Sequence, residues 1–112
     1  MKLYFYFLET NKIRTEQCEV VEKPKTYRPV NKFPDGYLYA YVKKEEIGEL
    51  AGYNRDTAIL TEDNRKKAAE IFSEKCNMGI SRAKMEIQSA ESRIEECNSM
   101  LKMIAEWETS NE

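Results

Sequence analysis

The residues of this chain best suited to chemistry are aromatic and cationic side chains in its first half. Ten of the twelve aromatic residues lie before position 54, and residues 23–44 hold six cationic residues against one acid. Aromatic faces stack on nucleobases, and the guanidinium of arginine donates paired hydrogen bonds to phosphate. The pattern predicts a pocket for a small anionic nucleotide. The candidate ligand-binding residues are Tyr27, Arg28, Tyr53, Asn54, Arg55 and Arg82.

The positions of these candidates support the choice. Tyr27 and Arg28 lie between two prolines, whose fixed backbone angles stiffen a loop. Tyr53 begins a Tyr-Asn-Arg run that directly follows a glycine. Arg82 lies in the last helix and would reach the pocket if helices of neighbouring subunits frame it. The alternative is that strand tyrosines pack in a core and loop lysines are only solvated.

The same sequence gives little support to catalysis. Without histidine there is no Ser–His or Cys–His pair, and no general base that titrates near neutral pH. The four glycines are scattered and form no phosphate-binding loop. Cys18, Cys76 and Cys97 are far apart, which predicts buried structural thiols rather than nucleophiles, metal ligands or disulfides. We expect no enzyme activity, no catalytic or metal-binding residue and no cofactor.

Charge and hydropathy limit the partners. The net charge of −2 is too close to neutral for an electrostatic binder of duplex nucleic acid. Residues 1–8 alternate like a strand and are too short for a signal peptide, and no segment approaches the ~20 apolar residues of a membrane span. Unpaired cysteines are typical of a reducing compartment. We therefore expect a cytoplasmic protein that binds neither duplex nucleic acid nor membrane.

Strands must position the candidate residues. Residues 2–8 alternate with apolar side chains on both faces, and the tyrosines of residues 37–42 share one face of a strand. Two prolines make residues 23–29 an extended loop, and residues 43–50 read as a short helix. An antiparallel β-meander of about four strands is expected. The predicted strands cover residues 2–8, 14–22, 37–42 and 56–60.

The hydrophobic period changes after Leu60. Thr61 predicts a helix N-cap, followed by two acids in the first turn. Further on, apolar residues recur at alternating steps of three and four, as in a heptad repeat. Gly79 favours a break between two helical segments, and one helix with a tolerated glycine is the alternative. The apolar stripe consists of Ile80, Ala83, Ile87, Ala90, Ile94, Cys97, Leu101 and Ile104.

Together these patterns predict an α+β fold with a β-rich head over residues 1–61. Residues 62–109 form a long C-terminal helix or a helical hairpin. At 1.5 Å per residue the apolar stripe is about 40 Å long, longer than a four-stranded sheet is wide. It therefore predicts packing against helices of another copy, in a homodimer or higher oligomer. Packing on the chain's own sheet is the alternative.

Four segments carry a resemblance to a known family: MKLYFYFLE, CEVVEKPKTYRP, KFPDGYLYAYVKKEEIGEL and the charged C-terminal helix. The chain resembles small proteins of Firmicutes phages and prophages, and is similar to the Thoeris anti-defence sponge family. That family binds cyclic ADP-ribose isomers made by bacterial TIR enzymes, and some members sequester cyclic oligonucleotides. The resemblance implies a β-rich head, oligomerising helices, and ligands stacked by aromatic residues and held by arginines near subunit interfaces.

The resemblance implies a non-catalytic phage protein of the host cytoplasm that sequesters a cyclic nucleotide immune signal in pockets of a homo-oligomer. The alternative is a phage-encoded interaction module that inhibits a host protein through its tyrosine face or its helices, because tyrosine is enriched at interfaces. A transcriptional regulator has less support, since the sequence shows no helix-turn-helix pattern and no strongly basic helix.

Overall fold

The computed structural model describes residues 1–110, and the architecture is α+β, as the sequence predicts. The chain divides into two compact units, one spanning Met1–Lys75 and the other beginning at Cys76. Six strands precede a single α-helix, with a short 3₁₀ turn at Lys44–Glu46 between the fourth and fifth strands. The elements are β1 (Lys2–Leu8), β2 (Ile13–Glu22), β3 (Thr26–Pro29), β4 (Val42–Lys43), β5 (Leu50–Ala51), β6 (Thr57–Leu60) and α1 (Arg65–Thr109).

All six strands belong to one antiparallel sheet in the order β4-β3-β2-β1-β6-β5. β1 is a central strand, paired along its whole length with β2 from Lys2 opposite Glu19 to Leu8 opposite Ile13. Its other edge pairs with β6. The two-residue strands β4 and β5 form the outer edges, where short length limits pairing with another chain.

Apolar residues cover both faces of β1, because successive side chains of a strand point to opposite sides. Leu3, Phe5 and Phe7 lie in the larger core, together with Val20, Phe33, Tyr37 and Val42 among others. On the opposite face, Tyr6 packs with Tyr4 and Leu8 alongside β6 and the beginning of α1. The strand prediction for residues 2–8 is therefore confirmed in both its bounds and its two apolar faces. From the helix, the residues of this second cluster are Ala68, Ile71 and Phe72.

The helix begins after Asn64 rather than after Thr61. The Asn64 Oδ1 accepts a hydrogen bond of 3.0 Å from the Lys67 backbone N–H, which satisfies a donor at the first turn. The Asn64 backbone N–H donates to the Tyr6 hydroxyl at 2.9 Å, and that hydroxyl donates to Asp63 at 2.5 Å. The predicted Thr61 cap is wrong, because the contact with Tyr6 fixes the start of the helix three residues later.

Between residues 23 and 51 the sequence-based assignments are wrong in three places, and the sheet has six strands instead of about four. The segment Thr26–Pro29, predicted as part of a loop, is a strand. Pro24 precedes this strand and Pro29 ends it, so neither removes an N–H from the middle of the ladder. The predicted helix over residues 43–50 is reduced to the 3₁₀ turn, and Leu50–Ala51 pairs with β6 instead.

Of the predicted strand over residues 37–42, residues 37–41 form an irregular loop and only Val42 belongs to a strand, β4. The Tyr37 ring packs edge-on against Phe5 and Phe33, with ring centroids 5.4 and 5.0 Å away. Its hydroxyl donates to the Tyr41 carbonyl at 3.0 Å, which closes the loop on itself. Tyr37 is consequently buried while Tyr39 and Tyr41 are exposed, so the three tyrosines do not share one face.

The helix α1 runs through Gly79 without a break, so the favoured two-segment interpretation is wrong and the single helix is confirmed. A Cβ at Gly79 would meet nothing within 4 Å, and a single glycine costs a helix only about 1 kcal/mol. From Cys76 onward every described side chain is exposed except Ala90, which is half-buried. Cys76 and Cys97 are therefore exposed rather than buried as predicted, whereas Cys18 is buried.

Candidate functional site

Two adjoining depressions in the first compact unit combine lysines and tyrosines. The cationic depression, of about 470 Å³, is lined by Lys25, Lys43 and Lys44 together with Pro24 and Thr26 among others. The tyrosine depression, of about 550 Å³, is lined by Tyr39, Tyr53 and Arg55 among others. Both volumes lie within the range of small-molecule sites in proteins. The side chains common to both depressions are Tyr41, Lys43 and Glu45.

The cationic depression lies where the beginning of β3 pairs with the end of β4. Thr26 pairs with Lys43 across the two strands, and the Lys44 backbone N–H donates to the Lys25 carbonyl at 3.0 Å, so three lysines are brought together. The Lys44 ammonium is already engaged, 2.6 Å from a Glu22 carboxylate oxygen. Within the described residues, no carboxylate lies within 4 Å of the Lys25 or Lys43 ammonium. These two lysines therefore carry the charge that an anionic ligand would meet.

Arg28 lies beside the shared wall of the two depressions. Its guanidinium carbon is 5.3 Å from the centre of the Tyr41 ring, within the distance of a cation–π interaction. The interaction orients the guanidinium, and its donors remain exposed because Arg28 is a surface residue. An anion seated against Tyr41 would therefore find a preoriented fork of N–H donors.

The tyrosine depression presents ring faces and one further arginine. Tyr53 is 77 % exposed, and Tyr39 is 48 % exposed, with its ring packed edge-on against the buried Tyr37 at 5.7 Å. Arg55 has a left-handed backbone, with φ of +52°, which costs a non-glycine residue about 1 kcal/mol. The Lys75 ammonium donates to the Arg55 carbonyl at 2.7 Å and so holds this conformation in place.

Three of the six sequence-predicted residues lie at the depressions in the structure. Tyr53 and Arg55 line the tyrosine depression, and Arg28 lies beside it. Tyr27 is buried in the larger core, where the Lys44 ammonium lies 5.5 Å from its ring centre. Asn54 lines neither depression and is an exposed turn residue whose carbonyl lies 3.5 Å from the Lys75 ammonium. Arg82 is an exposed residue of the second compact unit.

The sequence-based list lacks several residues that line the depressions, among them Lys25, Tyr39, Tyr41 and Lys43. Their signal was present, since the two lysines belong to the cationic segment and the tyrosines to the predicted tyrosine face. Treating residues 37–42 as a regular strand hid the difference between the buried Tyr37 and its exposed neighbours. Recognising Pro34-Asp35-Gly36 as the beginning of a longer loop would have separated them.

A second polar cluster joins β1 to the residues before α1. A depression of about 340 Å³ lies there, lined by Tyr4, Tyr6, Gln17 and Asp63 among others. Burial and the hydrogen bond to Asp63 raise the pKa of Tyr6 to about 12. Burial likewise raises the pKa of the Cys18 thiol, which donates to the Lys32 carbonyl at 3.4 Å. Burial thus disfavours the charged form of both groups, and both side chains pack in the cores of the sheet.

No group of three or more acidic, cysteine or histidine side chains in residues 1–110 is arranged to hold a metal ion. In that same range, no helix combines the length and the apolar character needed to cross a bilayer.

The fold and the paired depressions define an α+β protein with a cationic and aromatic surface site. No family model matches this chain, and no curated protein or solved structure matches it either.

Proposed function

We propose that this protein is a non-catalytic binder of a small anionic nucleotide, held across the cationic and tyrosine depressions. The observation that carries the proposal is the placement of Tyr41. Its ring forms part of both depressions, Arg28 lies over it, and Lys43 lines the same two depressions. Ring faces for a base and cations for phosphates are thus within one ligand's reach, as nucleotide binding requires.

Each side chain has a distinct task in such a complex. A base stacks on the exposed ring of Tyr53 or Tyr39, while Lys43 and Arg28 donate hydrogen bonds to phosphate oxygens. Glu45 lines both depressions and accepts hydrogen bonds from ribose hydroxyls or an exocyclic amine. Binding alone is sufficient for sequestration, so no bond in the ligand needs to break.

The resemblance noted from the sequence suggests the ligand class. We propose a cyclic nucleotide immune signal, either a cyclic ADP-ribose isomer or a cyclic oligonucleotide, captured in the cytoplasm of an infected host. A cyclic dinucleotide-like ligand carries more than one phosphate, which suits cations at Lys25, Lys43 and Arg28. The proposal includes a homodimer or higher oligomer, assembled through the helix.

The direct test is binding followed by recovery of the ligand. Purified protein is incubated with cyclic ADP-ribose isomers and with cyclic di- and trinucleotides, and is then heated to release what it holds. We expect a rise in melting temperature and recovery of the unaltered nucleotide. Absence of both effects with every nucleotide would rule out the proposal, and recovery of a cleaved product would show an enzyme instead.

Matched variants locate the site. Lys43→Ala should weaken binding by about tenfold, since hydrogen bonds to charged groups contribute about 1.5–3 kcal/mol. Arg55→Ala should also weaken binding and leave the fold intact, because its side chain is exposed. The control is Lys32→Ala, which removes the same charge from the same segment but lines neither depression. Equal losses in Lys32→Ala and Lys43→Ala would show only a diffuse charge effect.

A second function is favoured by one observation, the exposed apolar side chains of α1. Met85, Met103 and Trp107 are each more than half exposed, and such residues are common at protein interfaces. In this alternative the chain inhibits a host protein through its helix or its exposed tyrosines. Recovery of one host protein in stoichiometric amount, unaffected by Arg28→Ala and Arg55→Ala, would favour it over nucleotide binding.

A further inference from the structure

The apolar stripe of α1 has an internal order of large and small residues. One row, written here as the a row, consists of large residues: Ile80, Ile87, Ile94 and Leu101. The other, the d row, consists mainly of small residues: Ala83, Ala90 and Cys97, with Ile104 at its end. Ile80, Ile87 and Ile94 are 53–60 % exposed. A helix row of this length and exposure is typical of a seam that packs on another helix.

We propose that this stripe is covered by the same stripe of a second copy, running antiparallel and centred between Gln88 and Ser89. In a parallel pair, a residues face a residues and d residues face d residues. Isoleucine would then meet isoleucine and alanine would meet alanine, so the layers would be wide and narrow in turn. In an antiparallel pair each a residue faces a d residue, and every layer combines a large residue with a small one. Such interdigitation fills the seam at native density.

The register follows from matching the two rows around this centre. Ile87 faces the partner's Ala90, and Ile94 faces the partner's Ala83. Nearer the ends, Ile80 faces the partner's Cys97. The two-fold axis repeats each of these contacts, as an isologous interface requires. In this register every layer of the seam pairs a large residue with a small one, so all layers have a similar thickness.

The charges beside the seam select the same register. Residues that flank the seam of an antiparallel pair meet the same flank of the partner, displaced by two residues from direct opposition. With the centre at residues 88–89, Lys84 lies opposite the partner's Glu91 in this sense. On the other flank Glu86 lies opposite the partner's Arg93, and symmetry doubles both pairs. Within the described residues none of these four charged side chains has a salt bridge of its own. A parallel pair would instead set Glu86 against the partner's Glu91, a repulsion repeated on both sides.

This self-complementarity is the reason to name a second copy as the occupant. One chain supplies the large and small rows, and both signs of charge, at positions related by a single two-fold axis. A different protein would need its own rows of large and small residues and its own charges at the matching positions. The inference rests on the self-association proposed above and does not depend on the nucleotide.

Disulfide trapping in the full chain tests the register, using native Cys97. In Ile80→Cys the new thiol should face the partner's Cys97, so mild oxidation should give a covalent dimer. Adding Cys97→Ser to the same variant should abolish that dimer, and unsubstituted protein should give none. Rapid cross-linking of the unsubstituted protein through Cys97 would show parallel pairing and overturn the proposal. A non-covalent dimer in which Ile80→Cys fails to cross-link would overturn the register.

Charge reversal gives a second test that needs no disulfide. Glu91→Lys should raise the dimer dissociation constant about tenfold, because two attractive contacts become repulsive. Adding Lys84→Glu should restore it. A parallel dimer would tighten with Glu91→Lys alone, since that change relieves the repulsion from Glu86, and this result would overturn the proposal. Unsubstituted protein that sediments as a monomer at all concentrations would overturn the self-association as well, while leaving the nucleotide experiments to be judged separately.

Discussion

A single phenolic oxygen connects the sheet to the beginning of the helix. The Tyr6 hydroxyl accepts a hydrogen bond from the Asn64 backbone and donates one to Asp63, while its ring is 2 % exposed. A buried donor left without a partner costs more than the hydrogen bond itself contributes. The hydrogen bond to Asp63 thus favours the neutral form of the tyrosine, and the hydrogen bond from Asn64 fixes the start of the helix.

Tyr6→Phe should lower the free energy of unfolding by about 1–2 kcal/mol, because the Asn64 N–H loses its acceptor. Its raised pKa adds a pH dependence. Stability from this group is complete below the unfolded tyrosine pKa of 10.0 and is lost as the pH rises towards about 12. The variant should therefore lose less stability than the unsubstituted protein between those two values, as measured by urea unfolding at each pH.

The control for this prediction is Tyr53→Phe, since the Tyr53 side chain is exposed and makes no hydrogen bond within the described residues. Its free energy of unfolding should stay within about 0.5 kcal/mol of the unsubstituted value. Equal effects from both substitutions would contradict the role assigned to the Tyr6 oxygen. Burial also raises the pKa of Tyr37, so part of the alkaline loss should persist in Tyr6→Phe.

Residue types predicted the kind of chemistry but not the direction of each side chain. Tyr27 and Arg28 were expected to act together, yet they are neighbours in β3 and point to opposite faces, one into the core and one over Tyr41. The two prolines suggested a loop. In a loop the side chains do not alternate between two faces, so the opposite directions of these two side chains could not be inferred. Had the strand been recognised, period two would have excluded one of the pair.

At the scale of elements, strong periodicity was informative and short segments were not. β1 and the apolar stripe of α1 follow clear periods of two and of three to four residues. β4 and β5 have two residues each, too few for any period, and they exist because neighbouring strands offer unpaired groups. The helix start was also misplaced, because Thr61 and Asn64 are both favoured N-cap residues and the contact that selects Asn64 comes from Tyr6, 58 residues away in the sequence.

The two candidate caps can be compared directly. Asn64→Ala should lower the free energy of unfolding by about 1 kcal/mol, because the Lys67 N–H loses its acceptor. Thr61→Ala should have little effect, as Thr61 is exposed and lies outside the helix. Thermal unfolding followed by circular dichroism measures both. A larger loss in Thr61→Ala would restore the cap expected from the sequence.

Two glycines with open space around them should respond in opposite ways to alanine. Gly79→Ala should stabilise α1 by about 0.5–1 kcal/mol, because the position is helical and a Cβ meets nothing. Gly48→Ala should destabilise by about 1–2 kcal/mol, because its φ of +82° disfavours any Cβ. Urea unfolding compares the two variants. Destabilisation by Gly79→Ala would indicate that the glycine has a role beyond being tolerated.

At the scale of the whole molecule, the unit that begins at Cys76 has no core of its own. Its described side chains are exposed apart from the half-buried Ala90. Helices in proteins gain most of their stability by packing an apolar face rather than from propensity. We therefore expect self-association to contribute much of the stability of this unit, so its melting temperature should rise with protein concentration.

Charges placed in the stripe should separate assembly from folding of the head. Ile87→Asp combined with Ile94→Asp should weaken self-association by more than about a hundredfold, or leave an aggregating chain, because the seam would bury carboxylates. The control is Met85→Asp with Ser92→Asp, which adds the same charge on the opposite side of the helix. Sedimentation velocity measures both. Equal behaviour of the two double variants would contradict a seam along the stripe.

The strand order also has a consequence for the order of synthesis. β1 is made first, yet one of its edges pairs with β6, which cannot form until Leu60 has been translated. Until then the nascent chain displays an open strand edge beside Tyr4 and Tyr6, and such edges recruit other unfinished chains. Fragments that stop before position 57 should therefore aggregate even though the β1–β2 hairpin is intact. Premature termination before β6 would leave this edge of β1 open permanently.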